Sequence, residues 1–295
     1  MKDTLFPRVP DQHKPNKPLV PNGLGVVYVL ASVVYLFFVH FLGVNTSSQD
    51  VSPPLTLAAC ILFGGFLGLL DDWIDLKWRY KAFLPLIAAI PLVSLASRLG
   101  LRTAMALPLL GTIQFGNYYY FVIIPVLVTV VTNTVNQLGG LNGLETICPA
   151  IVLIGLAAVS GSQALLLLAC PLVVWLVLAF LNFQGKIFVG NTGSFAIGIT
   201  LAAFAITSDV KSGLVVSILP YVLNSAMILL AYFFFRTKAN VAFDGKKLCS
   251  DHRRSLVTLV TYRRPLAERH VVAVISVLVA ASTTVAVLGQ ALLFW

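Results

Sequence analysis

The sequence predicts an all-α protein that crosses a membrane with about nine helices. Three observations predict it. Hydrophobic residues are 58% of the 295 and charged residues only 11%, whereas a soluble domain carries about 25% charged residues to keep its surface solvated. The mean hydropathy is +0.92. Apolar runs near the length needed to cross a bilayer, about 20 residues, recur along the chain, and no polar stretch is long enough for a second domain. The whole chain, 1–295, is expected to form a single integral membrane domain.

Taken in order, the runs cover roughly 24–43, 55–70, 82–97, 118–135, 146–160, 163–181, 193–208, 213–235 and 271–294. Several contain proline (Pro85, Pro91, Pro125, Pro171, Pro220), which breaks or bends helices and softens these limits. With nine alternating spans, segments 1–23, 71–81, 136–145, 182–192 and 236–270 share one side. They hold 17 of the 20 Lys and Arg, and the other side keeps only Arg98, Arg102 and Lys211. That bias is the positive-inside pattern and places the first set in the cytoplasm. Residues 1–23 are then a cytoplasmic N-terminal arm, 236–270 the large basic cytoplasmic loop, and the C-terminus lies outside.

Topology accounts for the net charge of +9, so the nucleic-acid reading of a basic chain is dropped. The first 23 residues lack the apolar stretch of a signal peptide. Cys60, Cys148, Cys170 and Cys249 form no CxxC pair and read as apolar filler rather than disulfides or zinc ligands.

Only eleven acids exist, and four of them, Asp71, Asp72, Asp75 and Glu145, lie at cytoplasmic ends of apolar runs. Asp3 and Asp11 fall in the N-terminal arm, Asp50 and Asp209 in external loops, and Asp244, Asp251 and Glu268 in the large loop. Three acids crowd into Leu69-Leu70-Asp71-Asp72-Trp73-Ile74-Asp75. On a helix, Asp71 and Asp75 share a face, as do Asp72 and Asp75. Ionisable groups at a membrane boundary mark function by default, and such a cluster wants a cation. An interfacial network with Lys77, Arg79 and Lys81 is the structural alternative.

A second concentration runs from Thr132 to Glu145 and includes Asn133, Asn136, Gln137, Gly139, Gly140, Asn142 and Gly143. Amides in the last turn of an apolar helix are costly unless satisfied, and the glycines permit an unwound backbone facing a ligand; an ordinary polar loop is the alternative. The third is Phe188-Val189-Gly190-Asn191-Thr192-Gly193-Ser194. A helix N-terminus with free N–H groups suits phosphate, and a simple Asn/Thr cap fits equally well. The fourth is the basic loop, whose charges serve topology and anionic-lipid contact or, for a few, clamp a phosphorylated substrate. Gly64-Gly65-Phe66-Leu67-Gly68 reads as close helix packing without chemistry.

Together these clusters are the parts of a metal-assisted phosphate site. The chain shows no Walker A, HExxH or GxSxG pattern, so the signatures of nucleotide hydrolysis, zinc proteolysis and triad hydrolysis are missing.

The three motifs, in this order and each at a cytoplasmic helix end, resemble those of the polyprenyl-phosphate N-acetylhexosamine-1-phosphate transferases. The aspartate-rich motif is Asp71 through Lys81, and the second is Asn133-Thr134-Val135-Asn136 continuing to Gly140-Leu141-Asn142-Gly143-Leu144-Glu145. Gly139, where bacterial members carry Asp, brings the second motif nearer to the UDP-GlcNAc–dolichyl-phosphate enzymes of archaea and eukaryotes. Phe188 through Ser194 is the third.

The resemblance covers nearly the whole chain. It implies magnesium-dependent transfer of a sugar 1-phosphate from a UDP-sugar to a polyprenyl or dolichyl phosphate, with release of UMP; manganese would substitute for magnesium. By matched position it makes Asp71 and Asp72 the catalytic carboxylates and Lys81 a pyrophosphate contact. Asn136 and Asn191 would hold the metal. Asn142 and Phe188 would meet uracil, with Asp75 and Gly190 beside the substrate and, by a looser match, Arg236 and Lys238 in the basic loop. The expected setting is a prokaryotic plasma membrane rather than the endoplasmic reticulum, with membrane lipids and a second copy of the chain as partners.

Two departures stand out. The family carries Asp where this chain has Asn191. An amide oxygen can ligate a hard cation, but one negative charge is lost, so weaker metal binding is expected, with a catalytically impaired member as the alternative to an active transferase. The family also has ten spans, the first preceding the arm in which this chain begins. A secondary transporter is the alternative of a different class, since broken helices there also bring helix ends to ions. Against it, the polar clusters lie at one surface and not at the midplane, and no inverted repeat is visible.

Overall fold

Every apolar run of the sequence becomes helical, and the prolines decide where the helices break. The computed structural model describes residues 5–43, 52–107 and 111–292; Asp3 and Asp50 lie outside these, as does the end of the last expected span. The helices are α1 (Gly25–Phe41), α2 (Pro53–Ile74), α3 (Trp78–Phe83), α4 (Pro85–Ala88), α5 (Ile90–Arg98), α6 (Ile124–Gln137, entered through a π turn at Tyr119–Ile123), α7 (Leu144–Ala158), α8 (Ser162–Phe183), α9 (Gly190–Thr207), α10 (Lys211–Ser217), α11 (Leu219–Phe235), α12 (Leu256–Val260) and α13 (Glu268–Ala291).

The third apolar run is thus not one helix but three. Pro85 and Pro91 each open a new segment, at the first-turn position where a missing N–H costs nothing. The eighth run is α10 and α11 bent by 52° at Ile218, with Pro220 in the first turn of α11. Pro149 and Pro171, by contrast, sit inside α7 and α8 without ending them. Among the described residues six helical stretches, α3 to α5 counted together as one, are long and apolar enough to cross a membrane, or seven with the bent pair counted as one span. The remaining two runs, α1 and α7, have 17 and 15 residues, shorter than the roughly 20 a bilayer requires.

The two segments expected as arm and loop carry structure of their own. In the N-terminal arm β1 (Arg8–Pro10) pairs antiparallel with β2 (Leu19–Pro21), Val9 opposite Val20. A second hairpin joins β3 (Ala104–Leu107) to β4 (Gly111–Gln114). In the basic loop β5 (Ala242–Phe243) pairs with β6 (Leu248–Cys249), and α12 opens on a capping box between Ser255 and Thr258. Strands of two to four residues are too short to show alternation, which is why the sequence reads as helical alone. In the turn between β5 and β6 the backbone N–H groups of Lys247 and Lys246 donate to Asp244, which holds its carboxyl below the usual carboxylate range.

The bundle is organised around α9, buried without a break from Thr192 to Ile206, as befits a helix apolar on every side. Small residues let its neighbours approach. A Cβ on Gly68 of α2 would lie 2.2 Å from the Asn191 carbonyl oxygen, one on Gly64 2.8 Å from the Ile199 side chain, and one on Gly25 of α1 2.2 Å from the Gly193 nitrogen. The close-packing role expected of the Gly64–Gly68 motif holds, and Gly68 extends it to the third polar motif. Polar tethers complete the core: Tyr28 donates to Thr200 (2.8 Å) and Trp175 to the Thr146 carbonyl (2.9 Å). The cysteines are all free.

Candidate active site

The acid cluster ends α2, and its three carboxylates go three ways. Asp75 takes the left-handed C-cap conformation (φ 45°) with its N–H bonded to the Asp71 carbonyl. Its side chain is almost fully exposed, 3.4 Å from Lys81. Asp71 is buried. Its Oδ1 accepts the Leu76 N–H at 3.0 Å and meets Lys81 Nζ at 2.8 Å, while its Oδ2, also buried, has no partner. The interfacial acid–base network offered as an alternative therefore exists, and it takes Asp71, Asp75 and Lys81.

Asp72 is used differently. Its Oδ1 accepts the Asn191 N–H at 2.9 Å, and its Oδ2 accepts both the Thr192 N–H (2.9 Å) and the Thr192 hydroxyl (2.8 Å). A carboxylate at a helix N-terminus satisfies orphan donors and meets the positive end of the dipole. The N-terminus of α9 is capped, but by an acid from α2 rather than by its own Asn or Thr. This corrects the expectation of free N–H groups for phosphate, because those of Asn191 and Thr192 are taken. Gly190 is obligatory at this junction: its φ is +70°, and a Cβ there would sit 2.7 Å from Asp72 Oδ2.

The second motif joins at the same point. Asn136, one residue from the end of α6, donates from Nδ2 to Asn191 Oδ1 at 3.1 Å. Asn133 turns away, donating to the carbonyls of Thr129 (3.0 Å) and Ala82 (3.3 Å). A cleft of about 430 Å³ opens here, lined by Asp72, Asn136, Glu145, Phe188, Gly190 and Asn191, with Gly139, Gly140 and, from the N-terminal hairpin, Val9 and Asn22. A second cleft of about 430 Å³ shares Gly139 and Gly140 and continues to His13, Gln137, Asn224, Asn240 and Ser255, all neutral or titratable only at His13. Acids and amides thus gather where helices end, not at their middles.

Six residues expected at the site line neither cleft: Asp71, Asp75 and Lys81, which pair with one another beside it, and Asn142, Arg236 and Lys238. Arg236 caps α11 in a left-handed conformation and Lys238 offers its carbonyl to Arg254; neither lines either cleft. Asn142 is buried. Its Nδ2 donates to Asp11 Oδ2 (2.7 Å) and Glu268 Oε1 (3.2 Å), and its N–H donates to Glu268 Oε1 (2.8 Å). Its Oδ1 is enclosed without a partner. Asn142 therefore anchors the glycine-rich loop rather than facing open space.

Asp11 and Glu268 belong to the site's framework although they read as ordinary arm and loop residues. Both are buried, and Lys14 pairs with Glu268, strapping the N-terminal arm to the start of α13. Asn182 is a further framework residue, accepting the Gly143 N–H (2.8 Å) and Thr146 hydroxyl (3.0 Å) while donating to the Ile187 carbonyl (2.9 Å). An amide ending an apolar helix was its signal, as at Asn133 and Asn136. Val9 and Asn22 gave none.

Among the described residues no three His, Cys, Asp or Glu side chains gather as metal ligands. The acid cleft nevertheless offers the carboxylates of Asp72 and Glu145 beside the amides of Asn136 and Asn191. Oxygen donors of this kind suit a hard divalent cation.

A model of one protein family, described as glycosyl transferase family 4, matches residues 54–209, a stretch that contains all three motifs. A protein of Saccharolobus solfataricus, provisionally named a UDP-N-acetylglucosamine–dolichyl-phosphate N-acetylglucosaminephosphotransferase, is 30% identical over 95% of this chain and 87% of its own. A phospho-N-acetylmuramoyl-pentapeptide-transferase of Bacillus cytotoxicus is 29% identical over 81% and 76%. A UDP-N-acetylglucosamine–dolichyl-phosphate N-acetylglucosaminephosphotransferase of Dictyostelium discoideum is 27% identical over 70% and 59%.

Proposed function

The chain belongs to glycosyl transferase family 4, and from that premise we propose that it transfers N-acetylglucosamine 1-phosphate from UDP-GlcNAc to a dolichyl or related polyprenyl phosphate, releasing UMP. The observation that carries this reading is the junction of Asp72, Asn136 and Asn191, where acids, amides and a helix N-terminus from three separate motifs meet within hydrogen-bond distance. The names of the relatives supply the substrates.

The reaction needs no nucleophilic side chain. A phosphate monoester is largely dianionic at pH 7, so an oxygen of the lipid phosphate attacks the β-phosphorus of the donor. The bond from that phosphorus to the oxygen bridging it to the α-phosphate breaks, and UMP leaves. Because bonds change only at phosphorus, the anomeric configuration of the sugar is kept. The obstacle is bringing two anions together, so positioning and charge neutralisation carry the catalysis.

Magnesium, held by Asn136 and Asn191 beside Asp72, would supply positive charge for the diphosphate. Lys81, held by Asp71 and Asp75, is the cation that the family resemblance assigns to the pyrophosphate. Asp71 is enclosed, and its part is to hold Lys81, whose Nζ lies 2.8 Å from Asp71 Oδ1. Asp72 holds the third motif against α2 and so fixes the position of Asn191. Phe188 and Gly190 form the wall against which the uridine lies. The site faces the cytoplasm, on the charge bias of the segments.

Purified protein given UDP-GlcNAc, magnesium and a polyprenyl phosphate should release UMP and form a lipid-linked sugar diphosphate. Donor binding without either product would overturn the proposal.

A further inference from the structure

The basic loop holds a second site, separate from both clefts. Arg253, Arg263 and Arg264 line one pocket of about 390 Å³, whose remaining walls are Leu259, Val260 and Tyr262. None of its residues lines either of the clefts described above. The guanidinium carbons of Arg253 and Arg263 lie 4.1 Å and 5.2 Å from the centre of the Tyr262 ring. The ring therefore gathers two cations that would otherwise repel one another. Among the described residues no carboxylate pairs with any of the three arginines.

The backbone is shaped to the same end. Arg263 has φ +52°, a conformation that L side chains rarely adopt. It is kept there by its N–H bond to the Ser250 carbonyl at 2.9 Å. Strain of this kind persists where the surroundings over-determine it, commonly at ligand clamps. The location is also informative. Glu268, four residues beyond Arg264, begins α13, one of the helices long and apolar enough to cross the membrane. The pocket is thus joined by a few residues of chain to a membrane-length helix, and tyrosine and basic side chains are the ones that anchor at a membrane interface.

We infer that this pocket binds the phosphate of an anionic membrane lipid. Guanidinium groups match phosphate oxygens with planar, bidentate hydrogen bonds. Leu259, 40% exposed, with Val260 offers the apolar wall that a lipid's glycerol backbone and first methylenes would cover. A free anion would use the arginines and leave that wall bare.

The test uses the full-length protein, delipidated in neutral detergent and titrated with dioleoylphosphatidylglycerol, dioleoylphosphatidylcholine or inorganic phosphate, with bound ligand counted by native mass spectrometry. One phosphatidylglycerol should be retained in preference to phosphatidylcholine, and phosphate should neither bind comparably nor displace it. Each arginine near an anionic headgroup contributes about fivefold, so R253A/R263A/R264A should weaken retention about a hundredfold. The single variant R264A, which leaves both ring contacts in place, should weaken it about fivefold and keeps the test open should the triple variant fail to fold. K246A/K247A, removing two charges of the loop that do not line the pocket, should change it far less than R264A does. Unchanged retention in R264A, an equal loss in K246A/K247A, or equal retention of the zwitterionic lipid would overturn the inference. Displacement by phosphate would show a free-anion site, and displacement by UDP-GlcNAc would assign the arginines to the donor; either result overturns it without bearing on the transferase reading.

Discussion

Asp72 and Thr192 are joined twice, the same carboxylate oxygen accepting the threonine N–H at 2.9 Å and its hydroxyl at 2.8 Å. Residues 120 apart in the chain are thereby locked at the meeting point of two helix ends. The carboxylate is a positioning group as much as a charge.

Replacing Asp72 should therefore affect stability as well as rate. D72A removes a charged acceptor from three donors, at about 2–3 kcal/mol if hydrogen bonds to charged groups keep their usual worth, and should lower the thermal midpoint in detergent. Asp72→Asn keeps one acceptor oxygen and should recover part of that midpoint, while UMP release falls below wild type in both variants. Equal midpoints for wild type and D72A would show that the cap seen here contributes nothing.

Asn191 offers the opposite experiment. N191D restores a third carboxylate beside Asp72 and Glu145, and magnesium affinity measured by isothermal titration should rise about tenfold or more, the scale on which changes around metal ligands act. UMP release should rise with it. Because Asn136 donates to Asn191 Oδ1, the new carboxylate keeps that hydrogen bond, so the fold should be undisturbed. A magnesium affinity that does not move would place the ion elsewhere.

Gly68 tests the spacing between α2 and α9. A methyl group there would lie 2.2 Å from the Asn191 carbonyl oxygen, and overpacking of this kind costs about 1–3 kcal/mol. Gly68→Ala should abolish or sharply reduce turnover although no substrate touches residue 68. Gly161→Ala, where a Cβ meets nothing within 4 Å, is the matched control and should behave as wild type. Activity of G68A within twofold of the control would refute the idea that backbone contact sets the site.

The N-terminal arm should come loose when its buried anchor is cut. D11A leaves Asn142 to Glu268 alone, and E268A removes the acceptor of both the Asn142 N–H and its side chain, exposing a buried donor at about 1–3 kcal/mol. Trypsin should then cleave after Arg8 several times faster than in wild type, since the prolines that follow Lys14 and Lys17 block cleavage there. Donor affinity should fall in parallel, since Val9 and Asn22 wall the acid cleft. Unchanged cleavage would mean that the hairpin, not Asp11, holds the arm.

What could be read beforehand follows from scarcity. In a chain with 11% charged residues, Asp71–Asp75, Asn133–Glu145 and Phe188–Ser194 stand out because each is expensive where it lies, and the structure joins residues of all three at one cleft. Individual assignments were harder. Asp11 and Glu268 matter only through contacts spanning 131 and 126 residues, and no local pattern encodes a partner that distant. Asn142 was visible as a polar residue, but whether it faces a ligand or a buried acid depends on where the arm packs. Arg236 and Lys238 rested on a loose match through a loop, and loop geometry is the least constrained by pattern. The helix breaks at Pro85 and Pro91 carried a signal, yet proline alone does not distinguish a break from the uninterrupted passage seen at Pro149 and Pro171.

The contacts of Gly25, Gly68 and Gly190 have a thermal consequence. A separation fixed by side chains loosens as rotamers become populated on warming, whereas main chain resting on main chain or on a clamped carboxylate has no rotamers to populate. The distance from the acid cluster to Asn191 should therefore change little with temperature while the bundle stays folded. Activity should climb with temperature at a single activation enthalpy up to the melting transition and then fall abruptly, with no gradual decline announcing it.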